Sequence, residues 1–502
     1  MMTDRWVAGR ALRAVASDRA YSGPLPTQVN NGEENSFPFV ANFSKGLPHE
    51  ADGQVVPSAY RLLLRAVSTG RPEDFERIPL GTVKGRKLVN PQAGLAFDVE
   101  GPDAQGLTIA PAPRIDRPQN SAEMAELYWM ALARDVNFTD FAADPVVAAA
   151  ATDLTSNFTD FRGPKDGGTV TPATLFRGDT PGDLVGPYVS QFLFGAIPYG
   201  TLLVQQLQRT VPPGVDFLTT FPDWLAAQNG ADISINAPSP TDLRYIQTPR
   251  DLATYVHFDT VYEACLNACL ILLAMGAPFD VGNPYNFSQN QIGFATYGAL
   301  HVLTLVVEVA TRALKAAWYQ KWFVHRRLRP EEFGGRIEAQ RLGLATFPMI
   351  DPEILNSPVL TEVMTKFGSQ LLPQAFAEGS PIHPSYAAGH ATVSGACATI
   401  LKAFFDESFI LPGPVQVPDA AGTDLVEDPT SPPLTVGGEL NKLAANISIG
   451  RNMGGVHWRT DYSESVTLGE QVAIGILRDQ KPTTNEDASF TLTRFDGTTI
   501  TI

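Results

Sequence analysis

Apolar residues recur at three- and four-residue steps through most of the chain after residue 120, a period that predicts α-helices. From Gly298 onward, Leu300, Leu303, Val307, Ala310, Leu314 and Trp318 form one such stripe, and Lys321 continues it. Helices are expected near 186–209, 252–275, 298–326, 351–370, 391–406, 437–447 and 461–478. Asn120 followed three residues later by Glu123 resembles a capping box and opens a further helix over "AEMAELYWMALARDV". Before residue 118 the pattern changes: Pro, Gly and Asn interrupt short apolar runs such as "LPTQVNNGEENSFPF", which predicts an extended arm with turns and hairpins. The Pro-rich acidic passage "LPGPVQVPDAAGTDLVEDPTSPPLTVGG" reads as a surface excursion. The tail "SFTLTRFDGTTITI", β-branched around Asp496-Gly497, reads as a closing hairpin. The expected organisation is therefore an arm over 1–118, a helical domain over 119–480 and a β-hairpin tail over 481–502.

Charge narrows the class of partner. Thirty-seven Lys and Arg against 53 Asp and Glu leave a net charge of −16, which argues against nucleic acid and against an anionic membrane as partners of the whole molecule. No run of eighteen apolar residues and no signal-peptide pattern is present, so a soluble, cytoplasmic protein is expected. Three cysteines without a CxxC pair give no disulfide framework, and Cys265 and Cys269 fall on one helix face as core residues.

Against this acidic background three segments carry the chemistry. In "KWFVHRRLRP", Lys321, His325, Arg326, Arg327 and Arg329 crowd into nine residues. Basic residues at a helix end commonly complement its dipole and reach to water, and that suits Arg326 and Arg327. It suits Lys321, on the apolar stripe, and Arg329, before a helix-breaking proline, less well. "HPSYAAGH" places His383 and His390 around Ala388 and Gly389 just before a helix-forming run, and a helix N-terminus attracts anions. "SIGRNMGGVHWRTD" holds Arg451, His457 and Asp461, with the carboxylate one helical turn after the imidazole it could orient. Each segment alone also has a plain structural explanation: a capped helix, a charged helix end, a glycine turn with a salt bridge.

Taken together, Lys-x7-Arg-Pro, the Gly-His loop and Arg-x5-His-x3-Asp resemble the three motifs of the vanadium-dependent haloperoxidases and of the acid phosphatases that share their oxyanion pocket. The wording of the motifs is most similar to the bromoperoxidases of algae and cyanobacteria. The resemblance implies a mainly α fold with two four-helix bundles, and vanadate as cofactor. Lys321, Arg329, Arg451 and the Gly389 amide would hold its oxygens, His457 would ligate vanadium, His390 would serve as acid-base, and His383 is the extra histidine of bromoperoxidases. Asp461 would support His457. Ala388 departs from the pattern, because the family usually has a hydrogen-bonding serine there. Family members often carry a structural calcium in the loop before the lysine helix, and since "NFSQNQIGFATYG" lacks carboxylates, calcium is left open here.

The implied activity is oxidation of bromide and iodide by hydrogen peroxide to hypohalous acid, which halogenates a small organic acceptor. Vanadium(V) would act as a Lewis acid with no haem or flavin. A homo-oligomer, dimer or larger, is also implied. Two alternatives stay open on sequence: an acid phosphatase with His457 as nucleophile and His390 as general acid, and an oxyanion-binding protein without turnover.

Overall fold

Proline starts many of the helices. Pro57, Pro118, Pro145, Pro249, Pro330 and Pro358 each occupy the first helical position, where the missing N–H would find no intrahelical partner anyway. The computed structural model describes residues 2–233 and 242–502. Its main helices are α1 (Met2–Ser22), α2 (Pro57–Thr69), α3 (Pro118–Leu132), α4 (Pro145–Ser156), α5 (Pro249–Phe258), α6 (Glu263–Ala274), α7 (Ala299–Tyr319), α8 (Pro330–Arg341), α9 (Pro358–Phe367), α10 (Gly389–Phe404), α11 (Val436–Met453) and α12 (Arg459–Gln480). Among the described residues the strands form four short antiparallel pairs, so the fold is mainly helical.

Helix α10 is the centre of the core. Every residue in it except His390 is buried, and it packs against α7, α11 and α12. Its crossing with α12 depends on absent side chains: a Cβ on Gly469 would lie 2.0 Å from the Thr392 carbonyl oxygen, and one on Gly395 would lie 2.4 Å from that of Val466. A second group forms where α3 packs against α4 and α9. No single helix among the described residues is long and apolar enough to cross a membrane.

Several expectations change. Among the described residues the first 118 hold the expected turns but also helices α1 and α2, and no strand pair where hairpins were expected. Helix α2 buries Ala59, Tyr60, Leu63 and Ala66, an i, i+3, i+4 set within the proline-rich stretch. The helix expected over 186–209 is a short turn at Gln191–Leu193 followed by the hairpin Ile197–Tyr199 with Leu202–Val204. The region 252–275 breaks after Phe258, and 351–370 breaks at Ser357-Pro358, where serine caps and proline restarts the helix. The stripe Leu300, Leu303, Val307, Leu314 and Trp318 is the rim of α7. Its fully buried face is Val302, Leu305, Val306, Val309, Ala313, Ala316 and Ala317, because small residues pack closest to α10. The tail does close as a hairpin, Thr491–Thr493 against Thr499–Thr501.

Candidate active site

Four chain segments bring their polar ends together at one end of the α10 bundle. Helix α7 passes into a π-helical turn, Gln320–His325, and Lys321 lies at its start, fully buried. Its ammonium donates to the carbonyls of Pro384 and Ser385, both at 2.8 Å, which ties the lysine segment to the loop before α10. Burial, reinforced by Arg329 and Arg451, pushes this lysine well below its ordinary pKa.

Arg329, also fully buried, sits at the N-cap of α8. Its Nε donates to the His383 carbonyl (2.9 Å), Nη2 to His383 Nδ1 (2.9 Å), and Nη1 to the Val456 carbonyl (2.7 Å). Nη1 also faces His457 Nε2 at 2.9 Å. One guanidinium thus joins all three motif segments. Burial lowers its pKa to about 9, so it stays charged at neutral pH.

His457 has its tautomer set from behind. Nδ1 donates to Asp461 Oδ2 at 2.7 Å, which leaves the Nε2 lone pair directed at the Arg329 side of the site. Asp461 is fully buried and is held by further donors: Arg327 Nη1 at 2.9 Å, the Trp458 amide at 3.1 Å, and the Ser385 hydroxyl. Burial, with Arg329, Lys321 and Arg451 nearby, keeps His457 well below the usual histidine range and therefore neutral. His383 is driven the same way by burial, Lys321 and Arg329, and its ring lies 4.8 Å from that of Trp318.

Arg451 ends α11. Nη1 donates to the Val256 carbonyl at 2.8 Å, its Cζ lies 5.2 Å over the Phe376 ring, and its buried Nε has no hydrogen-bond partner among the described residues. Burial lowers its pKa to about 10. Gly389 is the first residue of α10, Ala388 is its N-cap, and no side chain caps this end. The next residue, His390, is partly exposed, with Nε2 3.0 Å from Asp259 Oδ1 at the end of α5.

Lys321, Arg329 and Arg451 are thus buried cations, and among the described residues none of their side-chain nitrogens lies within 4 Å of a carboxylate oxygen; Asp461 is the carboxylate whose charge Lys321 and Arg329 feel, and Asp259 and Glu378 are those felt by Arg451. Buried charges normally carry a counter-charge. Three here stand with one helix N-terminus that no side chain caps and, among the described residues, an unpaired guanidinium nitrogen, a set of donors that suits an anion. The donor set fits a small tetrahedral oxyanion, and the unprotonated Nε2 of a buried neutral imidazole fits a hard Lewis-acid centre within it.

Of the nine residues singled out from sequence, Lys321, Arg329, His383, His457 and Asp461 are linked by hydrogen bonds to one another or to the loop before α10, Arg451 and His390 are near enough for their charges to act on His457, and Ala388 and Gly389 form the α10 N-terminus. Four further participants were not anticipated. Asp259 lies about 130 positions before the histidine it touches, with no local signal. Ser385 was inside the quoted loop, and its hydroxyl also lies 3.3 Å from His457 Nδ1. Arg326 and Arg327 do not reach water: Arg326 pairs with Glu34 at 2.6 Å, and Arg327 pairs with Asp461 and with Glu123 at 3.3 Å. Their place at a helix end suggested solvent, but the N-terminal residues and α3 cover that end. The expected Asn120–Glu123 capping box does not form either: the helix already starts at Pro118, which puts Asn120 inside its first turn, and Arg327 takes both side chains.

Comparison with known proteins gives this geometry a family. Residues 364–483 match the model of the VCPO second helical-bundle domain. Vanadium-dependent bromoperoxidases from Corallina pilulifera and Corallina officinalis are each 40% identical to this chain, over 98% of it and 97% of their own length. The vanadium-dependent bromoperoxidase of Ascophyllum nodosum is 35% identical over 98% of this chain and 91% of its own. The homohexameric structure of the second vanadate-dependent bromoperoxidase from Ascophyllum nodosum superposes with a TM-score of 0.92 at 31% identity, covering 100% of this chain and 90% of that one. With near-complete coverage and a cationic pocket that wants an oxyanion, the chain belongs to the vanadium-dependent bromoperoxidase family.

Proposed function

We propose that this protein binds vanadate in the Lys321, Arg329, Arg451 pocket and uses it to oxidise bromide, and the more easily oxidised iodide, with hydrogen peroxide. The observation that carries the proposal is the set of three buried cations without a carboxylate, facing a neutral histidine whose Nε2 is free of protons. His457 would hold the metal through Nε2. Lys321, Arg329, Arg451 and the Gly389 amide would hold its oxygens. When bound, vanadium(V) supplies Lewis acidity that makes peroxide oxygen electrophilic toward halide, and the metal keeps its oxidation state.

The protein's own groups then have separable tasks. Asp461, fixed by Arg327 and the Trp458 amide, holds the His457 ring in orientation and tautomer. His390, with Nε2 on Asp259, has its other ring nitrogen available to accept a proton from peroxide as it enters. Lys321 cannot wander, because two carbonyls fix its ammonium, so its charge is directed before substrate arrives. His383 and Trp318 form an aromatic wall beside Arg329. The product is hypobromous acid or its equivalent, and the acceptor it halogenates is a small organic molecule. Because its structural relative is homohexameric, we also propose that this chain assembles with copies of itself.

The test is to load purified protein with orthovanadate and follow bromination of phenol red with peroxide and bromide, beside phosphate-ester hydrolysis without vanadate. Vanadate-dependent bromination with negligible hydrolysis is expected. Hydrolysis without bromination would replace the proposal with a phosphatase.

A further inference from the structure

The last turn of α5 and its cap, Val256 to Asp259, border the pocket, and two of these residues already serve it: the Val256 carbonyl accepts from Arg451, and Asp259 holds His390. His257, between them, has no part in the chemistry above, yet it is arranged as His390 is. Its Nε2 lies 2.8 Å from Glu378 Oε1, as His390 Nε2 lies 3.0 Å from Asp259 Oδ1. Burial raises the Glu378 carboxyl, but His257 outweighs it and brings its pKa down to about 2, so Glu378 is an ionised acceptor. Nε2 of His257 therefore carries a proton, and in the neutral ring Nδ1 keeps its lone pair. Among the described residues nothing bonds to that nitrogen, and both side chains of the pair are partly open to water. Rings make the floor beside it. His257 stacks on Phe376 at 4.0 Å and 14°, Phe376 lies under the Arg451 guanidinium, and Phe258, 65% exposed, tilts against His257 at 4.5 Å. The row runs from solvent to a cation of the vanadate pocket.

We infer that the Phe258, His257, Phe376 row is where a phenolic acceptor docks, with His257 Nδ1 taking the phenol proton. The inference rests on the peroxidase reading above and adds the class of acceptor and the residues that receive it. A phenol offers an apolar ring face to stack on the row and one acidic O–H to the free nitrogen. Arg86, whose Nη1 donates to the Glu378 carbonyl at 3.4 Å, brings a cation to the same rim, which favours the phenolate. The step balances. The phenol O–H bond breaks and His257 becomes imidazolium. A ring carbon of the phenolate bonds bromine as the Br–O bond of hypobromous acid breaks, and hydroxide leaves. Hydroxide takes the proton displaced from that carbon to become water, and His257 returns its own proton to the bromophenolate.

The test gives vanadate-loaded full chain bromide, peroxide and either phenol or its methyl ether, anisole, which has no proton to donate. Peroxide also consumes hypobromous acid and releases dioxygen, so brominated product per dioxygen reads how well the acceptor is captured, whatever the total rate. Wild type is expected to give phenol a higher product-to-dioxygen ratio, and a different ortho-to-para ratio, than hypobromous acid added to the same mixture without enzyme. His257→Gln should lower the phenol ratio roughly tenfold and the anisole ratio much less. Phe258→Ser, at an exposed position that leaves the core filled, should lower both. Wild-type ratios equal to those of added hypobromous acid, or variants that match wild type, would overturn the site. Equal losses for phenol and anisole in His257→Gln would overturn the proton transfer. Wild type that releases no bromide-dependent dioxygen would overturn the peroxidase reading itself.

Discussion

Replacing Ala388 by serine should both stabilise the apoprotein and tighten its hold on vanadate. Ala388 is the N-cap of α10, with φ −75° and ψ 127°, the conformation in which serine caps well, and no side chain now caps this end. A serine Oγ can accept from the first free amides and at the same time donate its own proton toward an anion. The capping bond contributes about 1 kcal/mol. A donor to a charged acceptor contributes on the order of 1.5 to 3 kcal/mol, which corresponds to roughly 10- to 150-fold in affinity. The backbone need not move, because the Ala388 amide is already fixed on Ser465 Oγ at 2.9 Å and its carbonyl accepts from Thr392. Calorimetric titration of apo wild type and Ala388→Ser with orthovanadate reads the affinity, and urea unfolding of the apo forms reads the cap. Tighter binding with a modest gain in stability is expected. Greater stability with equal affinity would mean that the hydroxyl caps the helix and never meets the anion, which would refute the placement of the oxyanion at the α10 N-terminus.

Other outcomes follow from the same geometry. His457→Ala should abolish bromination and weaken vanadate binding, whereas His390→Ala should still bind vanadate in equilibrium dialysis and lose most of its turnover; retained turnover in either would remove that role. Arg327→Met leaves Asp461 and Glu123 buried without their cation and should cost about 3 to 5 kcal/mol in urea unfolding. Arg326→Ala breaks a pair nearer the surface and should cost clearly less, so equal losses would contradict the burial difference. His325 is buried with Nε2 unpartnered, and burial, Arg326 and Arg327 lower its pKa from 6.5 to about 3. Below pH 6.5 the unfolded chain takes up a proton that the folded chain refuses, so stability falls as pH drops through 6.5 toward 3, by about 2 kcal/mol at pH 5. His325→Phe should lose less stability than wild type between pH 7 and 5, and parallel losses would show that this histidine does not titrate as argued.

The sequence by itself determined the helical period, the closing hairpin and the three short segments that carry the site. These are local properties: three- and four-residue steps, a turn dipeptide, and charged residues at fixed spacing inside one segment. It misplaced helices where the deciding contacts are distant. Helix α2 is helical because Tyr60 and Leu63 have a second small core to enter, with Trp322 and Ile382 from far along the chain. Arg327 is an internal strut because α3 supplies Glu123 and the first turn of α12 supplies Asp461, about two hundred and about one hundred and thirty residues away in opposite directions. Asp259 reaches His390 only because α5 packs on α11 and delivers its end to the mouth of the pocket. Tertiary structure also settled the state of each group. Lys321, Arg329 and Arg451 are ordinary cations in the sequence, and burial together without a carboxylate is what turns them into a demand for an anion.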